Sequence, residues 1–280
     1  MNNLGFLLAI GAALCWGTYI VPFKKSQSQN LLQFQALMGT GIFISGFIAS
    51  ILFDYSLQLN VYGLLSGFLW ASANVLSLTA VLNLGISKAI PILASLVILS
   101  SFLWGALVFG ELPSGLIIGF AGIGLIILGV ILVSTTTNTQ SQNTKKRLFT
   151  AILAGIIFGS QLVPLKVGNV ATKDFFFSVC LGIFLTGLLI ALFKKTRFKN
   201  EAVGLSLLSG IIWNIGNLLS LVAIGLIGLA KAIPISQSST LIAVLWGLFY
   251  FKEITQRKFR IQVLIGAAIL LLGVIILSLA

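Results

Sequence analysis

Four blocks of this chain recur, in the same order, 142 or 143 residues further on. GTYIVPFK at 17–24 returns as GSQLVPLK at 159–166, and GFLWASANVLSL at 67–78 returns as GIIWNIGNLLSL at 210–221. LGISKAIPI at 84–92 returns as IGLAKAIPI at 227–235, and LWGALVFGE at 103–111 as LWGLFYFKE at 245–253. One offset shared by four blocks marks a duplicated chain. Whatever architecture the first half adopts, the second is bound to repeat it.

Each half is too apolar to meet water. The 280 residues are 58% hydrophobic and 8% charged, with a mean hydropathy of +1.13. A soluble domain is about a quarter charged. An all-apolar soluble bundle is excluded, because no charged face remains for solvent. A bilayer core of roughly 30 Å needs roughly 20 apolar residues per helix. The apolar runs give ten spans, at about 4–22, 32–53, 61–82, 88–109, 115–134, 148–166, 174–193, 203–223, 230–251 and 261–279. The polar stretch STTTNTQSQNTKKR at 134–147 divides them five and five and reads as a flexible linker. An odd number of spans makes the second half enter the membrane from the opposite side. The expected fold is therefore an all-α integral membrane protein of ten transmembrane helices, built as two inverted five-helix repeats. The repeats are 1–134 and 148–280, with a linker at 135–147. Inverted repeats recur in carriers that alternate access around a midplane site.

The net charge of +12 belongs to the loops and does not indicate nucleic acid. Fourteen basic residues fall in loops 1–2, 3–4, 5–6, 7–8 and 9–10, among them Lys24, Lys88, Lys145, Lys194, Lys252 and Arg257. Only Lys166, Lys173 and Lys231 fall on the other side. The positive-inside rule puts the fourteen in the cytoplasm and both termini outside the cell membrane. The N-terminus has no basic region before its apolar run, so it reads as a first span and not as a signal peptide. Cys15 and Cys180 lie inside apolar segments and read as buried thiols. No metal-binding spacing is present, and no cofactor is expected.

Two spans carry amides. Trp213, Asn217 and Ser220 share one helix face by their spacing, with Asn214 at its border. Trp70, Asn74 and Ser77 repeat the pattern in span three. An amide facing lipid would leave its polar groups unpaired at a cost of several kcal/mol. These stripes must face other helices or water. They are either interhelical glue or the lining of a cavity. Matched polar residues favour the cavity: Ser236 and Gln237 follow Pro234, Gln161 precedes Pro164, and Tyr19 precedes Pro22. Pro22 and Pro164 form one repeat-matched pair, Pro91 and Pro234 another. All four are candidate helix breaks, and broken helices at membrane depth line cavities.

The halves differ in detail. Asn214 is matched by Ala71, Gln161 by Tyr19, Ser236 by Leu93 and Gln237 by Ala94. A solute would bond mainly to spans six, eight and nine, with Trp16, Tyr19 or Trp70 covering its apolar face. Amides both donate and accept and carry no charge, which suits a small neutral polyol or sugar. Trp104 and Trp246 lie near span ends and read as interfacial belt residues.

Asp54, Glu111, Asp174, Glu201 and Glu253 all fall near span ends. No acid marks a midplane proton site. Lys88 and Lys231, each in a KAIP sequence, either snorkel to the interface or offer a cation to an anionic ligand. Histidine is absent, and no nucleophile, P-loop or acid pair appears, so no enzyme chemistry is indicated.

GTYIVPFKK, WNIGNLLSL, IGLAKAIPISQSSTLIAVLWGLFYFKE and the closing GVIIL resemble the glucose-uptake (glucose/ribose porter) branch of the drug/metabolite transporter superfamily. The resemblance covers nearly the whole chain. It implies a permease that moves sugar across the cell membrane through a central cavity between the halves. Spans one, three, four, six, eight and nine would line that cavity. The wider superfamily also exports metabolites, amino acids and drugs on the same scaffold, and that is the alternative. A scaffold or sugar sensor without flux is a third reading. The expected partners are a small solute and the bilayer, and homodimer formation is left open.

Overall fold

The computed structural model describes residues 3–25, 30–104, 108–109, 116–134, 144–196, 203–227, 235–236 and 238–277. Helices are the regular elements among the described residues. They are α1 Asn3–Thr18, α2 Val21–Lys25, α3 Leu31–Leu52, α4 Val61–Leu84, α5 Ile86–Leu103 and α6 Leu116–Ser134. The second half holds α7 Thr144–Ser160, α8 Val163–Gly168, α9 Thr172–Phe193, α10 Val203–Ile227, α11 Ser239–Leu245 and α12 Arg257–Leu277. A π turn at Trp246–Tyr250 continues α11. Helix α7 already begins at Thr144, inside the stretch expected to be linker.

Six helical stretches are long and apolar enough to cross a membrane: Leu4–Lys25, Leu31–Leu52, Val61–Leu84, Leu148–Gly168, Thr172–Phe193 and Val203–Ser220. Ile86–Ser100, Ile117–Val133 and Ser239–Tyr250 are shorter apolar helices. The outer faces carry large exposed apolar side chains such as Leu7, Ile117, Phe120 and Phe193. This is the surface a bilayer solvates. The chain is a multi-pass helical membrane protein.

Local chemistry sets the helix ends. Asn30 starts α3 by accepting a hydrogen bond from the Leu32 amide at 2.9 Å, and Asn60 starts α4 by accepting from the Tyr62 amide at 2.9 Å. Gly85 ends α4 at φ +81°, a conformation that favours glycine. Two prolines stand at the starts of short helices. Helix breaks at Tyr19–Ile20 and Gln161–Leu162 directly precede Val21–Pro22 and Val163–Pro164. Each proline takes the second position of a new short helix, where its missing N–H is no loss. Pro91 corrects the third expectation. It lies inside the continuous helix α5 and breaks nothing. Pro234 lies outside the described residues.

Most tight packing runs between the halves. Helix α6 packs on α12, α4 and α3 on α9, α1 and α3 on α10, α4 and α5 on α7, and α1 on α11. Exchanging the repeats turns this set of contacts into itself: α1 on α10 becomes α7 on α4, and α3 on α10 becomes α9 on α4. Glycines allow the closest approaches. A Cβ on Gly67 of α4 would lie 2.5 Å from the Val179 carbonyl oxygen of α9, and one on Gly182 would lie 2.6 Å from that of Leu64.

Candidate functional site

The repeat-matched tryptophans meet where the halves join. Trp70 of α4 and Trp213 of α10 have ring centroids 4.5 Å apart at 53°, and Phe158 of α7 lies 5.8 Å from Trp70. Asn217, half-buried, follows Trp213 by one turn on α10. Asn74 follows Trp70 by one turn on α4 and is fully buried. Its Nδ2 donates to Gln35 Oε1 of α3 at 2.7 Å and approaches Met38 Sδ at 3.6 Å. The sequence reading missed Gln35. Helix α1 joins the same region through Trp16, which lies against Gly216: a Cβ there would sit 2.7 Å from Trp16 Cδ1.

The two helix breaks are anchored across the halves. Trp246 Nε1 donates to Thr18 Oγ1 at 3.2 Å, and Trp104 Nε1 donates to Ser160 Oγ at 2.8 Å. These are one contact seen twice, since Trp104 matches Trp246 and Thr18 matches Ser160 in the repeats. Both tryptophans tie the halves through their indole N–H groups. Half-buried Tyr19 lies in the first break, where its carbonyl accepts from Ser209 Oγ of α10. Gln161 occupies the second break, also half-buried.

Two other candidates point elsewhere. Asn214 Nδ2 donates to Ser45 Oγ of α3 at 3.0 Å, and its Oδ1 accepts from Cys180 Sγ of α9 at 3.7 Å. One residue is about 100° on a helix, so Asn214 turns away from the tryptophan pair. It lines an apolar groove of about 280 Å³ between α3 and α10, with Ile44, Ile48 and Ile215. Here the interhelical-glue reading fits better. Ser236 is buried and donates to the Ala9 carbonyl of α1 at 3.5 Å. Gln237 lies outside the described residues.

A carboxylate ties the halves at one end. Glu253 follows the π turn and reaches the start of α5 in the other half. Its Oε1 accepts from the Ile86 amide at 2.8 Å and its Oε2 from the Ser87 amide at 2.8 Å. Lys24 Nζ lies 3.5 Å from Oε1. Gly85 and Gly247 make room: a Cβ on either would come within 2.9 Å of Oε2. Lys88 is buried and within the field of the same carboxylate. Glu111 and Lys231, the matched residues of the other pair, lie outside the described residues.

Membrane-crossing apolar helices define a class: a polytopic helical membrane protein. The chain belongs to the sugar transport protein family, whose model matches residues 7–280. A protein of Listeria monocytogenes named for sugar uptake is 24% identical over 96% of this chain and 97% of its own length. A Staphylococcus aureus protein named for glucose uptake, GlcU, is 27% identical over 99% of each chain. One crystal structure superposes on the whole chain with a TM-score of 0.68 at 14% identity, covering 98% of that protein. That likeness concerns the fold alone.

Proposed function

We propose that this chain moves a small neutral sugar across the cell membrane by alternating access between two inverted five-helix repeats, 1–134 and 148–280, joined through 135–147. The observation that carries the reading is the meeting of Trp70 and Trp213 at the junction of the halves, with Asn74 and Asn217 one turn on. Aromatic walls with a few placed polar groups are how proteins hold small polar ligands. An indole face suits the C–H face of a sugar, and uncharged amides suit its hydroxyls. Family membership and the names of the relatives support sugar as the solute. The exchange-symmetric packing and the doubled tryptophan–hydroxyl contact support the two-repeat plan. Tyr19 and Gln161, in the two breaks, complete the proposed lining. Alternating access must open the bundle at one end while the other stays closed. The Glu253 tie spans the halves and is one contact such a cycle breaks and reforms.

Counterflow in proteoliposomes preloaded with unlabelled glucose tests the reading. Labelled glucose outside should accumulate transiently and saturably, and Asn217→Ala should slow it about tenfold, the effect of one lost hydrogen bond to solute, with membrane insertion intact. Absence of exchange for every sugar of a panel, in folded protein, would reject sugar transport.

The termini are proposed to lie outside the cell and the 135–147 linker in the cytoplasm. Single cysteines at Gln140 and Ala280 test this with an impermeant thiol reagent on intact cells, in a chain whose own cysteines are half-buried at Cys15 and buried at Cys180. Labelling at 280 and not at 140 is expected. The opposite pattern would reverse the orientation.

A further inference from the structure

Gln35 and Asn74 leave polar atoms over. Both side chains are fully buried, on α3 and α4. Their mutual hydrogen bond at 2.7 Å uses one amide oxygen and one N–H. Gln35 Nε2 and Asn74 Oδ1 then have no partner. Exchanging O and N in both amides changes which residue carries which atom, but one donor and one acceptor still remain. Buried polar groups are nearly always satisfied. Two unmet groups on one bonded pair, inside a membrane protein, need a reason.

Their place supplies it. Asn74 stands one turn from Trp70, whose ring meets Trp213. A third buried donor, Trp16 Nε1, also lacks a partner. Trp16 lies against Gly216, three residues from Trp213 on α10. The unmet amide pair thus lies a turn from Trp70, and the unmet indole N–H lies against a glycine about a turn from Trp213.

We propose that the Gln35–Asn74 amide pair is a hydroxyl-binding subsite of the transport pathway, taking adjacent hydroxyls of a neutral sugar. One hydroxyl donates to the free amide oxygen and its neighbour accepts from the free amide N–H. The sugar's C–H face lies toward Trp70 and Trp213. An apolar or a singly donating ligand would satisfy at most one of the two atoms, and an anion would meet an acceptor it cannot use. This rests on the sugar-permease reading and adds to it the residue Gln35 and the diol it selects. Full burial places the pair behind the closed junction, within reach when the halves separate.

The test uses glucose and its single-position deoxy analogues in counterflow, with the parent chain, Gln35→Leu and Asn74→Leu. The parent should exchange glucose and discriminate against at least one deoxy analogue by about tenfold, the usual worth of one hydrogen bond. Each leucine variant should bind glucose about tenfold more weakly and lose that discrimination. Its melting temperature in detergent should fall modestly, because the bond between the two amides is lost and the remaining amide stays buried with its polar atoms unmet. Gln35→Asn, which keeps the amide but withdraws it, should weaken glucose binding while folding as the parent does. That variant decides the matter if leucine is not tolerated. Unchanged glucose affinity and unchanged discrimination in folded variants would overturn the subsite and leave sugar transport standing. A parent that exchanges no sugar would overturn both.

Discussion

Gly67→Leu is expected to leave no folded protein to assay. Helix α4 meets α9 with backbone against backbone. A Cβ on Gly67 would stand 2.5 Å from the Val179 carbonyl oxygen and 2.7 Å from the Ile183 amide nitrogen. Neither atom ends a flexible side chain, so a whole helix must move to admit it. The contact is reciprocal, since a Cβ on Gly182 would stand 2.6 Å from the Leu64 carbonyl oxygen. In lipid there is little hydrophobic drive to hold helices together, so close packing of small residues carries the association. Overfilling a core that can yield costs about 1–3 kcal/mol, and this interface cannot yield locally. Gly67→Leu and Gly182→Leu should vanish from the monodisperse peak on gel filtration of detergent extracts. Gly204, at the start of α10, has nothing within 4 Å of its Cβ position, so Gly204→Leu should elute as the parent does. A monodisperse Gly67→Leu with the parent's melting temperature would rule out the close approach.

The duplicated blocks made much of this architecture legible before any coordinates. A proline stands at the same place in GTYIVPFK and GSQLVPLK, and in each half one helix ends and another begins just before it. The blocks also paired Trp70 with Trp213, though no spacing rule says that two matched side chains should touch. Other features were hidden for physical reasons. Pro91 matches Pro234 in sequence, yet α5 runs through it. A proline removes one hydrogen bond, and packing decides whether the helix then opens. Trp104 and Trp246 lie near span ends, where an indole suits an interface equally well. Only the three-dimensional structure shows that their indoles bond to Ser160 and Thr18 of the other half. Asn214 shares a segment with Asn217 but faces Ser45 and Cys180. Gln35 had a readable signal that went unused: LLQFQALMG places two uncharged amides, Gln33 and Gln35, in an apolar span, the same anomaly that singled out Asn217. Glu253 could be read only as an acid near a span end, because sequence does not show a cap supplied by the other half.

That borrowed cap leads to the second large effect. Glu253→Ala should lower the melting temperature by several degrees and slow sugar exchange by about a hundredfold. The carboxylate accepts from the first two amides of α5, which have no partner within that helix. Hydrogen bonds to a charged group contribute about 1.5–3 kcal/mol each. The helix dipole favours a negative charge at the same place. Alanine leaves both amides unmet, so a loss of about 3–5 kcal/mol is expected, near that for breaking a buried pair. The effect on exchange follows from the geometry, because the residue comes from the second half and its partners from the first. Without the tie, the end of the bundle that holds Lys24, Gly85 and Glu253 no longer closes firmly. Lys24→Met separates the two contributions. It removes the 3.5 Å ion pair but keeps both amide bonds. Lys24 is 26% exposed, and such a pair contributes at most about 1 kcal/mol. Lys24→Met should therefore melt close to the parent and exchange sugar within about threefold of it. An equal loss in Lys24→Met and Glu253→Ala would mean that the ion pair, and not the capped helix start, holds the halves together at that end.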